Sequence, residues 1–292
     1  VQTLKLSGAN GVKIKEDAVM DRSEQFVSRV TLQRDRVESL ERYPFSLPAL
    51  RHFHELDLHP EMTIFVGENG SGKSTFLEAL AVSLGFNPEG GTKSFNFRTR
   101  ESHSKLHEFL RIRKGPIRPR TGFFLRAESF FNLATEIEVL DRGEGGGLPI
   151  IHYYGGQSLH EQSHGESFLA LMMHKFSKNG LYLLDEPESP LSPQRQLSVI
   201  AIMHDLILRG SQFIMATHSP ILMAYPGATI YEFSSDGIKP IEYEETEHYQ
   251  ITRAFLSHRE RMLQEILGAS VDGPGKAQKP PKRGTRSRPS RD

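Results

Sequence analysis

The chain has 292 residues, 36 Lys+Arg against 36 Asp+Glu, and no cysteine. The balanced total charge points to no partner by itself, and the absent thiols exclude disulfides, thiolate metal sites and cysteine catalysis. A 37% hydrophobic content is enough for a real core, no run of eighteen apolar residues occurs, and the N-terminus is not signal-like, so a cytoplasmic protein is expected.

Residues 1–26 are polar and weakly periodic and read as a flexible arm. Val27 to Leu32 and Phe53 to Leu58 read as strands, separated by a proline-containing connection. MTIFV (62–66) is a buried-strand pattern that runs into GENGSGKST and the helical stretch FLEALAVSLGF. Residues 87–122 read as a basic insertion rich in Gly, Arg and Lys, and GFFLRA (122–127) as a strand before a short helical part at about 128–165. QSHGES (162–167) opens an amphipathic helix to about Phe176, where Ser163 and Glu166 have the spacing of a capping box. LYLLDEP (181–187), QFIMATHSP (212–220) and TIYEF (229–233) read as strands. SPQRQLSVIAIMHDLILRG lies between the first two as a long helix, and EHYQITRAFLSHRERMLQEILG closes with helix. Strands alternating with helices predict an α/β fold with a mostly parallel sheet covered on both faces. From residue 269 the composition is that of a disordered basic tail.

Gly67, Glu68, Asn69, Gly70, Ser71, Gly72, Lys73 and Ser74 fit G-x-x-x-x-G-K-[ST] between a strand and a helix, with Thr75 following. The glycines let backbone N–H groups curl inward, and the helix adds its positive end, which together make a phosphate cradle. Lys73 would reach the β- and γ-phosphates of ATP, and the Ser74 hydroxyl would hold Mg2+. Asp185 and Glu186 end an apolar strand, where α/β sheets carry ligand chemistry. Asp185 is the expected Mg2+ carboxylate, and Glu186 the group that orients or deprotonates water. His218, at the end of a further strand, would contact the γ-phosphate. Ser192 and Pro193 offer a helix start. Tyr43 and Phe45 are candidates for stacking on adenine, with core packing the more ordinary use.

The order GENGSGKS, SHGES, LYLLDEPESPLS, ATHSP resembles the ATP-binding-cassette ATPases, and within them the branch of SMC, RecF and OLD-type proteins, over about residues 27–260. The resemblance implies a P-loop NTPase of ABC type with an antiparallel β part and a small helical insertion. It also implies an ATP-dependent homodimer with two ATP molecules between subunits. Ser163 and Gly165 match the serine and second glycine of the signature, which binds the γ-phosphate held by the other subunit. His164 and Glu166 depart from the commonest pattern, and Ser192 stands where many relatives have Asp or His. No glutamine lies between Gln33 and Gln157, so the Mg2+-sensing glutamine of transporter-type members is missing and Glu128 is the stand-in metal residue.

Residues 93–126 hold ten Lys/Arg and two acids, a net of +8, and the tail from Val271 a net of +5. Such clusters fit nucleic-acid phosphates or an acidic protein partner. The function expected is a Mg2+-dependent ATPase switch, DNA-linked in repair or defence. A nucleotide-gated regulatory module for a protein effector is the alternative, and a transporter nucleotide-binding subunit is less favoured.

Overall fold

The computed structural model describes residues 25–92, 104–127 and 164–268. The chain divides after Tyr249 into a first unit, Val1–Tyr249, and a second, Gln250–Asp292. The first unit holds two sheets. Strands β1 (Val27–Leu32), β2 (Glu55–Asp57) and β4 (Leu110–Lys114) form an antiparallel sheet in the order β2-β1-β4. Strands β3 (Met62–Val66), β5 (Thr121–Arg126), β6 (Gly180–Asp185), β7 (Gln212–Ala216), β8 (Thr229–Ser234) and β9 (Gly237–Pro240) form a second sheet in the order β5-β6-β7-β3-β8-β9. All neighbours in it are parallel except β8 and β9.

The parallel strands are buried on both faces, and their alternation sorts residues into two cores. Met62, Ile64, Tyr182, Leu184, Phe213 and Met215 face one core. That core also takes Phe168, Leu171 and Met172 of helix α3 (His164–Lys175) and Val199 and Met203 of α4 (Pro193–Leu208). Phe65, Leu181, Leu183, Ile214 and Ala216 face the other, with Phe76, Leu77 and Leu80 of α2 (Lys73–Ser83) and the inner side of the antiparallel sheet. Short helices α1 (Pro48–Arg51) and α5 (Pro220–Met223) complete the connections. Ser192 accepts from the backbone of Arg195 and Pro193 stands at the first position of α4, so the expected helix start is used.

Gln212 ties the two sheets together. Its side chain donates to the carbonyls of Val27 (2.8 Å) and His59 (2.9 Å) and accepts from the Val27 N–H (3.0 Å). An amide at the buried start of a parallel strand is tolerated because three hydrogen bonds replace its water.

Several expectations shift in detail. The last residues of the expected arm, Gln25 and Phe26, are buried; Gln25 donates to the Leu58 carbonyl. The strand expected over 53–58 is shorter, because Phe53 and Leu58 point into the core from outside the ladder. Part of the stretch read as a basic insertion supplies β4, an edge of the antiparallel sheet. The closing helix is two helices, α6 (Glu247–Ser257) and α7 (Arg259–Leu267), which meet at His258. Among the described residues no helix is long and apolar enough to cross a membrane.

Candidate nucleotide-binding site

Strands β3, β6 and β7 end at one edge of the parallel sheet, and that edge gathers the expected chemistry. The loop after β3 runs through Gly67, Gly70 and Gly72, all with left-handed φ (136°, 80° and 108°). A Cβ on Gly67 would collide with the Phe233 carbonyl at the end of β8, so a glycine is needed there twice over. Gly72 is the N-cap residue of α2, which places Lys73 and Ser74 in the helix's first turn.

The buried Lys73 ammonium donates to the loop carbonyls of Gly67 (2.7 Å) and Glu68 (2.8 Å). Burial lowers its pKa, opposed by the nearby carboxylates of Glu186, Asp185 and Glu188. Ser74 Oγ donates to Asp185 Oδ1 at 2.9 Å, across 111 residues of chain. Asp185 itself is buried, and its Oδ2 lies 3.5 Å from Nε of Arg126, the residue beside it in the β5–β6 ladder. Arg126 also donates to Glu78 of α2 at 2.5 Å.

Glu186 has φ +49°, a left-handed conformation rare for a residue with a Cβ, and the strain sits where strand turns into site. Its N–H donates to the Ala216 carbonyl of β7 (2.9 Å) and its Oε1 lies 3.7 Å from Nε2 of His218. His218 is held from behind by Glu188, whose carboxylate accepts from the His218 N–H (2.5 Å) and from the Thr217 hydroxyl (2.7 Å). Burial raises the Glu188 pKa, and the same hydrogen bonds oppose the rise. His218 Nδ1 meets Nε2 of His248 at 2.9 Å. Burial first, then the charge of Lys73, pushes the His218 pKa down to about 4.

The residues suit Mg2+. The ion prefers hard oxygen ligands and takes only one or two from the protein, the rest coming from phosphates and water. Ser74 Oγ and Asp185 Oδ1 already converge, and a triphosphate placed beside the carboxylates of Asp185, Glu186 and Glu188 requires a compensating cation.

Of the expected site residues, the structure brings together Gly67 to Ser74, Asp185, Glu186 and His218. Thr75 follows within α2. Gly165 lies in the first turn of α3, where a Cβ would collide with the Pro190 carbonyl and the Arg195 side chain. Glu166 is exposed and pairs with Arg195 at 3.0 Å. Ser163 and Glu128 lie outside the described residues. Phe45 is a core residue packed edge-on against Phe109, whereas Tyr43 is 64% exposed.

Sequence reasoning missed three contributors. Glu188 was visible as the third acid of DEPE but carried no assigned role. Arg126 was counted only within the basic 93–126 cluster, yet it is half-buried and turned toward Glu78 and Asp185. His248 lies in no motif, and only the fold brings it to His218.

Residues 45–146 match a family model described as "AAA domain", and residues 152–224 match one described as "AAA domain, putative AbiEii toxin, Type IV TA system". No curated protein matches the chain. Solved structures similar to it include the SMC head domain from Thermotoga maritima (19% identity, 75% of this chain and 100% of that one, TM-score 0.42). Another is the ADP conformation of an ATP-binding cassette of an ABC transporter (16% identity, 74% and 92%, TM-score 0.38). The fold is α/β, a mostly parallel sheet with the glycine loop of Gly67 to Ser74 after β3 and the paired acids Asp185 and Glu186 after β6, and two AAA-type family models match successive parts of it.

Proposed function

We propose that the protein binds Mg2+-ATP and hydrolyses it, and that two copies close head to head around two ATP molecules. The observation that carries the hydrolysis is the 2.9 Å contact between Ser74 and Asp185, with Lys73, Glu186 and His218 grouped at the same strand edge. Loop N–H groups and the start of α2 receive the phosphates, and Lys73 exchanges its loop carbonyls for β- and γ-phosphate oxygens. Bound Mg2+ supplies charge neutralisation, held by Ser74 and Asp185. Glu186 accepts the proton of the attacking water, and His218 presents Nε2 to the γ-phosphate side. Ser163 and Gly165 of each copy face the ATP of the other, with the helix dipole of α3 favouring the anion.

Closing on ATP and opening after hydrolysis make the cycle a mechanical switch. Glu186→Gln should therefore give an ATP-trapped dimer in gel filtration with Mg2+-ATP, and a variant that elutes as a monomer under saturating nucleotide defeats the dimer reading.

The switch is proposed to be DNA-linked. Lys105, Arg111, Arg113, Lys114, Arg118 and Arg120 are exposed on or beside β4, even with Arg126 removed from the cluster. Steady-state hydrolysis with and without single- and double-stranded DNA tests this, with Lys73→Ala as blank. Stimulation lost on neutralising the β4 cations supports it, and indifference to DNA counts against it. The toxin–antitoxin wording of the second family description favours one other reading, an ATP-gated module that controls a protein effector.

A further inference from the structure

His218 and His248 meet ring to ring. His248 is the second residue of α6, and its Nε2 lies 2.9 Å from Nδ1 of His218, with ring centroids 5.0 Å apart. A nitrogen–nitrogen hydrogen bond this short needs a proton on one ring and a lone pair on the other. Which ring supplies the proton decides what His218 shows at its far nitrogen.

That far nitrogen, Nε2, is buried and has no hydrogen-bond partner among the described residues, and the nearest anion is Glu186 Oε1 at 3.7 Å. Were His218 the donor through Nδ1, its Nε2 lone pair would face the Glu186 carboxylate in a half-buried site. With His248 as donor, the His218 proton sits on Nε2 and faces the carboxylate instead. The second arrangement is the electrostatically favourable one.

The main chain leaves little freedom to avoid the choice. The His218 N–H is held by Glu188, and the next residue, Ser219, caps α5 through Oγ.

We propose that His248 is a positioning residue: by donating its Nε2 proton to Nδ1 of His218, it holds His218 in the tautomer that presents Nε2–H to Glu186 and the γ-phosphate side. Burial and the charge of Lys73 disfavour the protonated form of both rings, which leaves the pair to share protons as neutral imidazoles. The effect on turnover rests on the ATP-hydrolysis reading, whereas the tautomer itself does not.

The test has two arms. In the first, imidazole 15N spectra of the full-length chain, assigned with His218→Gln and His248→Gln, read where the proton sits. A His218 proton on Nε2, partly moved to Nδ1 in His248→Leu, is expected, and a wild-type proton on Nδ1 overturns the proposal. In the second, His248→Leu should lower kcat for ATP about tenfold with KM unchanged, a size typical of groups that orient a reacting side chain. His248→Gln, which keeps a side-chain N–H at similar reach, should recover kcat to within about threefold of wild type. A leucine variant as fast as wild type, or a glutamine variant no better than leucine, overturns it. Should the leucine variant melt early, the wild-type tautomer and the glutamine variant decide. Wild-type protein without turnover would sink the ATPase reading and leave the spectra to settle the tautomer.

Discussion

The phosphate-loop edge of the parallel sheet and the antiparallel sheet β2-β1-β4 both carry many charges, but they hold them differently. At the phosphate-loop edge, Lys73 and Asp185 are buried and each has a fixed partner: Lys73 two carbonyls, Asp185 a serine hydroxyl with a guanidinium nearby. On the antiparallel sheet, Arg29 spans Glu55 and Asp57 at 3.0 and 2.5 Å, but all three side chains are at least a third exposed. Water screens the second group and not the first, so equal-looking ion pairs have unequal consequences. Charge that is buried and aimed at a concave edge is where chemistry concentrates.

The sharpest way to break this contrast is Lys73→Ala or Asp185→Asn. Either should reduce ATP hydrolysis by about 10³-fold, on the order of 4 kcal/mol of barrier, as expected for an electrostatic group at a transferring phosphate. Next comes Gln212→Leu, which leaves the Val27 N–H and two carbonyls without their partner at the junction of the two sheets. Urea unfolding should read a loss of about 2–3 kcal/mol.

A smaller effect separates the histidines from the surface. Burial, with the charge of Lys73, pushes the His218 pKa down to about 4 in the folded chain from the ordinary 6.5 expected unfolded. As pH falls from 6.5 to 4, the unfolded state takes up a proton that the folded state refuses, so stability drops with acid across that window. Burial lowers His248 too, and adds in the same direction, whereas the raised Glu188 opposes them. Wild type should therefore lose more stability than His218→Gln over that range, and equal losses would show that His218 is not held neutral. The smallest effect is Arg29→Ala, which should leave both turnover and the unfolding midpoint within experimental error.

Much of the site was legible because local chemistry forced it. A chain that turns from a strand into a helix around a phosphate needs glycines at positive φ, and Gly67, Gly70 and Gly72 have it. Apolar strands that end abruptly in Asp185 and Glu186 announce a sheet edge. Arg126 could only be counted with its basic neighbours in the sequence, because it is the β5–β6 register that sets it beside Asp185. His248 gave no signal at all, being an isolated histidine thirty residues from the one it touches.

The sequence by itself located most of the described strands and helices, the glycine loop after β3, the paired acids after β6 and His218 after β7, since period, glycine placement and strand-end acids are local properties. Only the tertiary structure decided that Ser74 meets Asp185, that Glu188 and His248 hold His218, and that Gln212 joins the two sheets. Those contacts span from 30 to 185 residues of chain. Their geometry comes from which strands lie side by side, and strand order is set by how the two cores bury their faces together rather than by any one segment.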